Sequence, residues 1–263
     1  MYILLADETN RQPSADIQFF VYGALFFPAP ALKQLDEGID QIRRSAGYTP
    51  SDELKFDTRS RPSQVSVEDC TAAKSAVLDL CKSAGCRFIA HVILHDIIKN
   101  QAIEQQCYWA ADYVFGRFNT FLHDEANDYG ICIVDNLPTR TQFQYFAEKF
   151  NTGLRLPSGK CVRLSSIKMF GASCIGACHA NSAMDIALGA FRYCINNPRN
   201  PDAARTMMGK VMDLLWHERQ GDKILCLDKG LSIRPKLNKI VVAEYKKKYK
   251  KLFEHINSMI KDY

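Results

Sequence analysis

Long apolar runs, nucleotide-binding loops and a signal-peptide flank are all missing from this chain of 263 residues. No apolar stretch approaches the roughly 20 residues of a membrane span, and no basic segment precedes the first apolar run. Neither G-x-x-x-x-G-K-[ST] nor G-x-G-x-x-G occurs, which removes the strongest signals for nucleotide binding. These absences exclude a membrane-spanning protein and predict a cytoplasmic one without a membrane partner.

Paired cysteines are also missing, although the chain has 10 cysteines. No Cys-x-x-Cys pair is present, and the nearest approach to a zinc motif is Cys174, Cys178 and His179. Four ligands at structural-zinc spacings are lacking. Because the cysteines are scattered over a long chain, we expect reduced and mostly buried thiols.

The composition is that of a folded globular protein, with 47% hydrophobic and 24% charged residues. The net charge of +5 is uneven, because residues 229–263 hold 10 basic and 3 acidic side chains. The remainder of the chain therefore carries −2, since +5 minus +7 is −2. Any attraction to nucleic acid is predicted at the C-terminus.

Hydrophobic periodicity predicts strands and helices that alternate along the chain. Predicted strands cover residues 2–6, 17–27, 87–94, 130–135 and 161–169. Predicted helices cover residues 32–47, 67–83, 102–123, 142–151, 180–195 and 202–217, and a polar loop covers 48–68. No internal repeat or linker is visible. This order indicates one α/β domain with a mixed sheet.

Two of the predicted strands end in acidic residues. The first apolar run leads into Asp7-Glu8-Thr9-Asn10, and the run at 130–134 leads into Asp135-Asn136. A carboxylate at a buried strand end must pair, protonate or bind a cation, because burying a lone charge is costly. Two such strand ends favour a metal site and an enzyme.

A third acid, Asp185, lies within a predicted helix. Helical spacing places Ser182, Asp185, Gly189 and Arg192 on one stripe. Small neighbours on this face leave space for a ligand or metal. The alternative is an ordinary solvent-facing aspartate with Arg192 as a weak neighbour.

In order and spacing these elements resemble the domain-of-unknown-function 3800 family over roughly residues 1–235. That family opens with a strand ending in Asp-Glu-Ser-Gly, has Glu-x-Lys about fifty residues later, a central strand ending in Asp, and a late helix with Gln-x-Ala-Asp. The corresponding segments here are Asp7-Glu8-Thr9-Asn10, Glu53-Leu54-Lys55, Asp135 and Ser182-Ala183-Met184-Asp185. Asn10, Ser182 and Met184 depart from the pattern.

The resemblance implies an RNase H-like fold and a nuclease or phosphodiesterase that uses Mg²⁺ or Mn²⁺ on DNA or RNA. The implied metal ligands are Asp7, Glu53, Asp135 and Asp185. Glu8 is a reserve ligand or an outer residue, and Lys55 contacts a phosphate oxygen or orients Glu53. The alternative for Lys55 is an exposed loop lysine. The alternatives for the whole protein are a binding module with a degraded metal site, and a structural protein whose acids only form ion pairs.

The last thirty residues form a predicted amphipathic helix, taken as a basic C-terminal segment (236–263) after the main domain (1–235). One face carries apolar residues from Val241 and Val242 to Ile260. The other face carries Lys246, Lys247, Lys248, Lys250 and Lys251, hereafter the lysine strip. The strip is either a nucleic-acid-binding surface or the solvated face of a packed helix. Binding to a membrane surface is a less favoured alternative, since no lipid-anchor signal accompanies the helix.

Overall fold

The computed structural model of the protein describes residues 1–9, 17–135, 141–156, 158–196, 201–221 and 223–260. The strands are β1 (Tyr2–Thr9), β2 (Phe19–Pro28), β3 (Arg87–Leu94), β4 (Gly130–Asp135), β5 (Leu154–Arg155), β6 (Cys161–Val162), β7 (Ile167–Ser173), β8 (Glu218–Gln220), β9 (Lys223–Leu225) and β10 (Leu231–Arg234). The helices are α1 (Ala31–Ser45), α2 (Val67–Ser83), α3 (His95–Ile98), α4 (Ile103–Asp124), α5 (Gln142–Asn151), α6 (His179–Asn196), α7 (Pro201–Leu214) and α8 (Ala243–Ile260).

Six strands form one mixed sheet in the order β10-β3-β2-β1-β4-β7. β2 is antiparallel to both of its neighbours, and the pairs β1–β4, β4–β7 and β10–β3 are parallel. The carboxyl ends of β1, β3, β4 and β7 therefore lie at one edge of the sheet, hereafter the carboxyl edge. This mixed sheet flanked by helices confirms the predicted α/β fold class.

Both faces of the sheet are covered by helices, which is why nearly all of β2 is buried. Side chains of α1, α2, α6, α7 and α8 form the core on one face, hereafter the α6 face. Side chains of α4 and α5 form the core on the opposite face, hereafter the α4 face. Because strand side chains alternate, neighbouring residues of β1 belong to different faces.

Several predicted boundaries agree with the structure, and others are wrong. The prediction of one strand over residues 161–169 is wrong, because β6 ends at Val162 and β7 begins at Ile167. A turn in which the Ile167 N–H donates to the Leu164 carbonyl separates them. The helix predicted to reach residue 217 ends at Leu214. Asn10 and Asn136 lie outside the described residues.

The C-terminal helix packs against the domain through Tyr249, Leu252 and Ile256. The prediction that Val241 and Val242 share this apolar face is wrong, because they precede α8 and are 95% and 49% exposed. None of the 10 cysteines forms a disulfide and 7 of them are buried, as expected. Among the described residues, no helix has both the length and the apolar character to cross a membrane.

Candidate active site

Asp7 and Asp135 extend from adjacent parallel strands at the carboxyl edge. Ala6 pairs with Val134 in the β1–β4 register, so the two aspartates are the next residues on neighbouring strands. Asp7 shares its face with Leu5, and Asp135 shares its face with Ile133. Both carboxylates therefore point to the α6 face.

The helix α6 brings Asp185 to the same place. One pocket is lined by Asp7, Asp135 and Asp185 together with Lys55 from the loop before α2. Ser173 and Asn181 complete the polar part of its wall, and Leu5, Ile133 and Met184 are among its apolar parts. The structure thus joins four of the six site residues predicted from the sequence, taken from two strands, a loop and a helix.

The three aspartates repel one another in a largely buried setting. Burial, followed by the charges of Glu8 and Asp135, raises the pKa of Asp7 well above its ordinary value. Burial also raises the pKa of Asp185, while the Phe56 N–H and the charges of Lys55 and Arg192 oppose that rise. A cation in the pocket would relieve this repulsion, because an opposite charge favours the ionised form of each carboxyl.

Asp185 is held by the loop that carries Lys55. The Phe56 N–H donates a hydrogen bond to Asp185 Oδ2 at 2.6 Å. The buried Lys74 secures the same loop, because its ammonium donates to the Phe56 carbonyl at 3.0 Å and to Thr58 Oγ1 at 2.7 Å. The orientation of Asp185 therefore depends on where Phe56 packs on α6.

The packing of Phe56 requires a glycine at position 189. A Cβ built on Gly189 would lie 2.4 Å from the Cβ of Phe56, much closer than non-bonded carbons approach. The absence of a side chain at this point lets the loop approach the helix, and the Phe56 N–H reaches the carboxylate one turn earlier on α6.

We expect Gly189→Ala to destabilise the protein by about 1–3 kcal/mol, the usual range for overpacking a core. In an unconstrained helix the same change stabilises by up to about 1 kcal/mol, so the contact with Phe56 reverses the sign. Urea unfolding measures the difference. Gly116→Ala in α4 is the matched control, because its Cβ would meet only the Leu154 side chain, at 3.0 Å. Equal effects of the two substitutions would contradict the role of the Phe56 contact.

Glu53 and Lys55 form an ion pair with 2.6 Å between Oε2 and Nζ. Lys55 lines the pocket, whereas Glu53 is absent from its described lining and lies near Gly176. A Cβ on Gly176 would be 3.5 Å from Glu53 Oε1. In this structure Glu53 therefore orients Lys55 from outside the pocket.

Glu8 is not brought into the pocket. It pairs with Tyr22 across the β1–β2 ladder, and Tyr22 belongs to the core on the α4 face. Because side chains alternate along a strand, the carboxylates of Asp7 and Glu8 project to opposite faces. Glu8 influences the site through its charge, which contributes to the raised pKa of Asp7.

Two amides near the site were not anticipated from the sequence. Asn181 Nδ2 donates to Ser173 Oγ at 2.9 Å, which ties the start of α6 to the end of β7. Buried Gln142 donates through Nε2 to the Asp135 carbonyl at 2.9 Å, which fixes the start of α5 at the end of β4. Sequence spacing gives no signal for either contact, since each depends on how a helix is placed against the end of the strand before it.

The pocket suits a hard divalent cation in its donor chemistry. Its acids supply only carboxylate oxygens, which Mg²⁺ and Mn²⁺ prefer, and Mg²⁺ commonly uses one or two carboxylates plus water. Over the described ranges, no group of three or more His, Cys, Asp or Glu side chains is arranged closely enough to hold a metal as it stands. Binding would therefore require the carboxylates to move together, or water to supply several of the ligands.

The lysine strip lies at the same edge of the sheet as the pocket. The Leu94 N–H, at the end of β3, donates to the Tyr249 hydroxyl of α8 at 2.9 Å. β3 is two strands away from β1, about 10 Å at the usual strand spacing. Lys246, Lys247, Lys250 and Lys251 are exposed, whereas Lys248 pairs with Asp96 at 2.6 Å and with Glu244 at 3.6 Å.

No family model matches the sequence, and no curated protein matches it. Among solved structures, the chain is similar to a chain in the structure of the PCNA:RNase HII complex from Archaeoglobus fulgidus. The TM-score is 0.44 at 10% identity, covering 84% of this chain and 98% of that chain. At this level of similarity, function has to be inferred from the residues of this chain itself.

Proposed function

We propose that this protein is a divalent-metal-dependent phosphodiesterase that cleaves nucleic acid, and that it belongs to the domain-of-unknown-function 3800 family. The observation that carries the proposal is the pocket at the carboxyl edge, where Asp7, Asp135 and Asp185 meet beside Lys55. Burial, and to a smaller extent the neighbouring carboxylates, raise the pKa values of Asp7 and Asp185, and a cation would offset both effects.

Asp7, Asp135 and Asp185 are the residues that would hold Mg²⁺ or Mn²⁺. When bound, such cations activate a water and stabilise the leaving oxygen of a phosphodiester. Lys55 lines the same pocket and can meet a non-bridging phosphate oxygen, with Glu53 holding its ammonium in place. The Phe56 N–H keeps one oxygen of Asp185 oriented, which leaves the other for the pocket.

The proposal is tested by incubating the purified protein with labelled DNA and RNA, single-stranded and duplex, with Mg²⁺, Mn²⁺ or EDTA. We expect cleavage of at least one substrate with metal and none with EDTA. Cleavage that persists in EDTA, or that survives both Asp7→Asn and Asp135→Asn, would contradict the mechanism.

A binding module with a degraded site is the alternative that one observation favours. In the described part of the chain, the acids are not arranged at metal-binding distances. Met184, one of the departures from the family pattern, is buried and its sulfur accepts the Leu25 N–H at 3.0 Å. Although Met184 packs in the core, the neighbouring Asp185 still lines the pocket. Nucleic-acid binding without metal-dependent cleavage would support the module.

The lysine strip should affect affinity rather than chemistry. We expect K246Q/K247Q/K250Q to weaken binding to all sequences alike, and to flatten the salt dependence of log K by up to about 2–3 units, since each duplex phosphate contact contributes about 0.9. Turnover at saturating substrate should stay unchanged, because none of these lysines lines the pocket. Fluorescence anisotropy across a salt series provides the measurement.

The matched control for these variants is K33Q/K82Q/R87Q, which also removes three positive charges. Lys33 and Lys82 lie on α1 and α2, and Arg87 begins β3, so all three are near the edge opposite the pocket. Equal salt slopes for the two triple variants would mean that the lysine strip is only the solvated face of a packed helix.

A further inference from the structure

One segment of the chain is strongly basic and was not anticipated as a binding surface. Residues 149–184 contain five lysines and arginines and no aspartate or glutamate. The stretch links α5 to α6 and includes the β5–β6 hairpin and β7. Its excess of five positive charges equals the net charge of the whole chain.

Four of these basic side chains are exposed. Arg155 and Lys160 belong to the β5–β6 hairpin, Arg163 follows it, and Lys168 lies on β7. None of the four forms an ion pair with another residue in the described ranges. Their charges are therefore available to an external anion. We call these four residues the hairpin surface.

The hairpin surface leads into the pocket along an edge strand. β7 is the outermost strand on this side of the six-stranded sheet. It ends at Ser173, which pairs with Asp135 and lines the pocket. Lys168 precedes Ser173 by five residues, a distance of about 16 Å along a strand. A polymer lying along β7 would thus reach the aspartates.

Aromatic side chains accompany these charges. Phe143 and Phe150, on the outer side of α5, are 69% and 58% exposed. Phe143 directly follows Gln142, whose side chain binds the Asp135 carbonyl, so α5, which covers the α4 face, places Phe143 near the end of β4. Glu148 is an exposed acid between the two aromatic residues, and its negative charge marks the boundary of the positively charged area. Exposed rings beside positive charges are the combination that binds unpaired bases and phosphates.

We propose that the hairpin surface binds the phosphates of a single-stranded nucleic-acid segment, and that Phe143 stacks on one of its bases near the end of β4. This inference rests on the proposed function, because it names the form of nucleic acid that reaches the aspartates. The segment enters along β7, on the opposite side of the pocket from the lysine strip.

The binding test uses full-length protein with Asp7→Asn, so that no substrate is consumed. The probes are a fluorescein-labelled single-stranded 20-mer, as DNA and as RNA, and a duplex of the same sequence. We expect K160Q/R163Q/K168Q to weaken single-strand binding at least tenfold and to flatten the salt slope by up to about 2 units, at about 0.7 for each contact. The control K33Q/K82Q/R87Q removes the same residue types and should change the affinity less than twofold.

Stacking is tested separately at Phe143. Phe143→Leu keeps an apolar side chain and should weaken single-strand binding about fivefold or more, whereas Phe143→Tyr should retain it. Unchanged affinity in K160Q/R163Q/K168Q, an equal loss in the control triple, or no single-strand binding by the parent protein would overturn the inference. If the protein cleaves nucleic acid but these variants bind it normally, only this inference fails. If the variants lose binding but the protein does not cleave, only the proposed function fails.

Discussion

Replacing Asp7 by Asn should abolish metal-dependent cleavage and make the metal-free protein more stable at neutral pH. Asp7 is a predicted cation ligand, and its charge is opposed by burial and by Glu8 and Asp135. The amide keeps the shape of the side chain and removes a buried like charge, so repulsion falls. We expect a melting temperature at least about 2–4 °C higher, the shift that about 1 kcal/mol causes in a domain near this size.

Cleavage assays and thermal unfolding of the same preparations measure both effects. Asp52→Asn is a suitable control, because Asp52 is absent from the pocket lining and its carboxylate accepts hydrogen bonds from the Thr49 N–H and hydroxyl. That control should keep activity and gain no stability. Loss of both activity and stability in Asp7→Asn would indicate a structural role for the carboxylate and would contradict the metal site.

The second large effect is the dependence of stability on pH and metal. Because the pKa of Asp7 is raised above its ordinary value of 3.8, its contribution to stability is complete below that value and is lost as the pH rises through the raised pKa. The stability difference between Asp7→Asn and the parent should therefore grow from pH 4 to pH 8. The comparison cancels the opposite contributions of paired acids such as Asp57 and Asp228, whose pKa values are lowered.

Adding Mn²⁺ should stabilise the parent protein by about 1.4–2.7 kcal/mol at 10 to 100 times the dissociation constant. The gain should be larger at pH 8 than at pH 5, since protons compete with the cation for Asp7 and Asp185. Differential scanning calorimetry of the parent and Asp7→Asn measures it. Equal Mn²⁺ stabilisation of both proteins, or a gain that does not vary with pH, would place the cation away from these carboxylates.

Much of the fold was predictable from local pattern. The bounds of α2, β3, β4 and α5 agree with the predicted ranges, because each element is flanked by polar or turn residues. The break between β6 and β7 was missed because apolar residues alternate on both sides of Ser165-Ser166, although the phase of the alternation shifts by one residue there. Alternation alone does not reveal where hydrogen bonding to a neighbouring strand begins.

The site residues that lie at the ends of strands were predictable from the sequence. Asp7 and Asp135 follow apolar runs, and parallel pairing places such residues side by side. Glu8, predicted as a reserve ligand or an outer residue, lies on the opposite face of β1 from Asp7, because strand side chains alternate at each residue. The contact of Phe56 with Gly189 joins residues far apart in sequence and leaves no local pattern. The hairpin surface was overlooked because its four charges are spread over the 14 residues from Arg155 to Lys168 instead of forming a run.

The most direct test of the central claim is the anomalous scattering of Mn²⁺ soaked into crystals of the protein. We predict an anomalous peak in the pocket, with Asp7 and Asp135 as ligands and Asp185 either binding directly or through water. The peak should disappear in crystals of Asp7→Asn soaked in the same way. An empty pocket at millimolar Mn²⁺, or a peak bound only by residues outside the pocket, would contradict the metal-dependent mechanism.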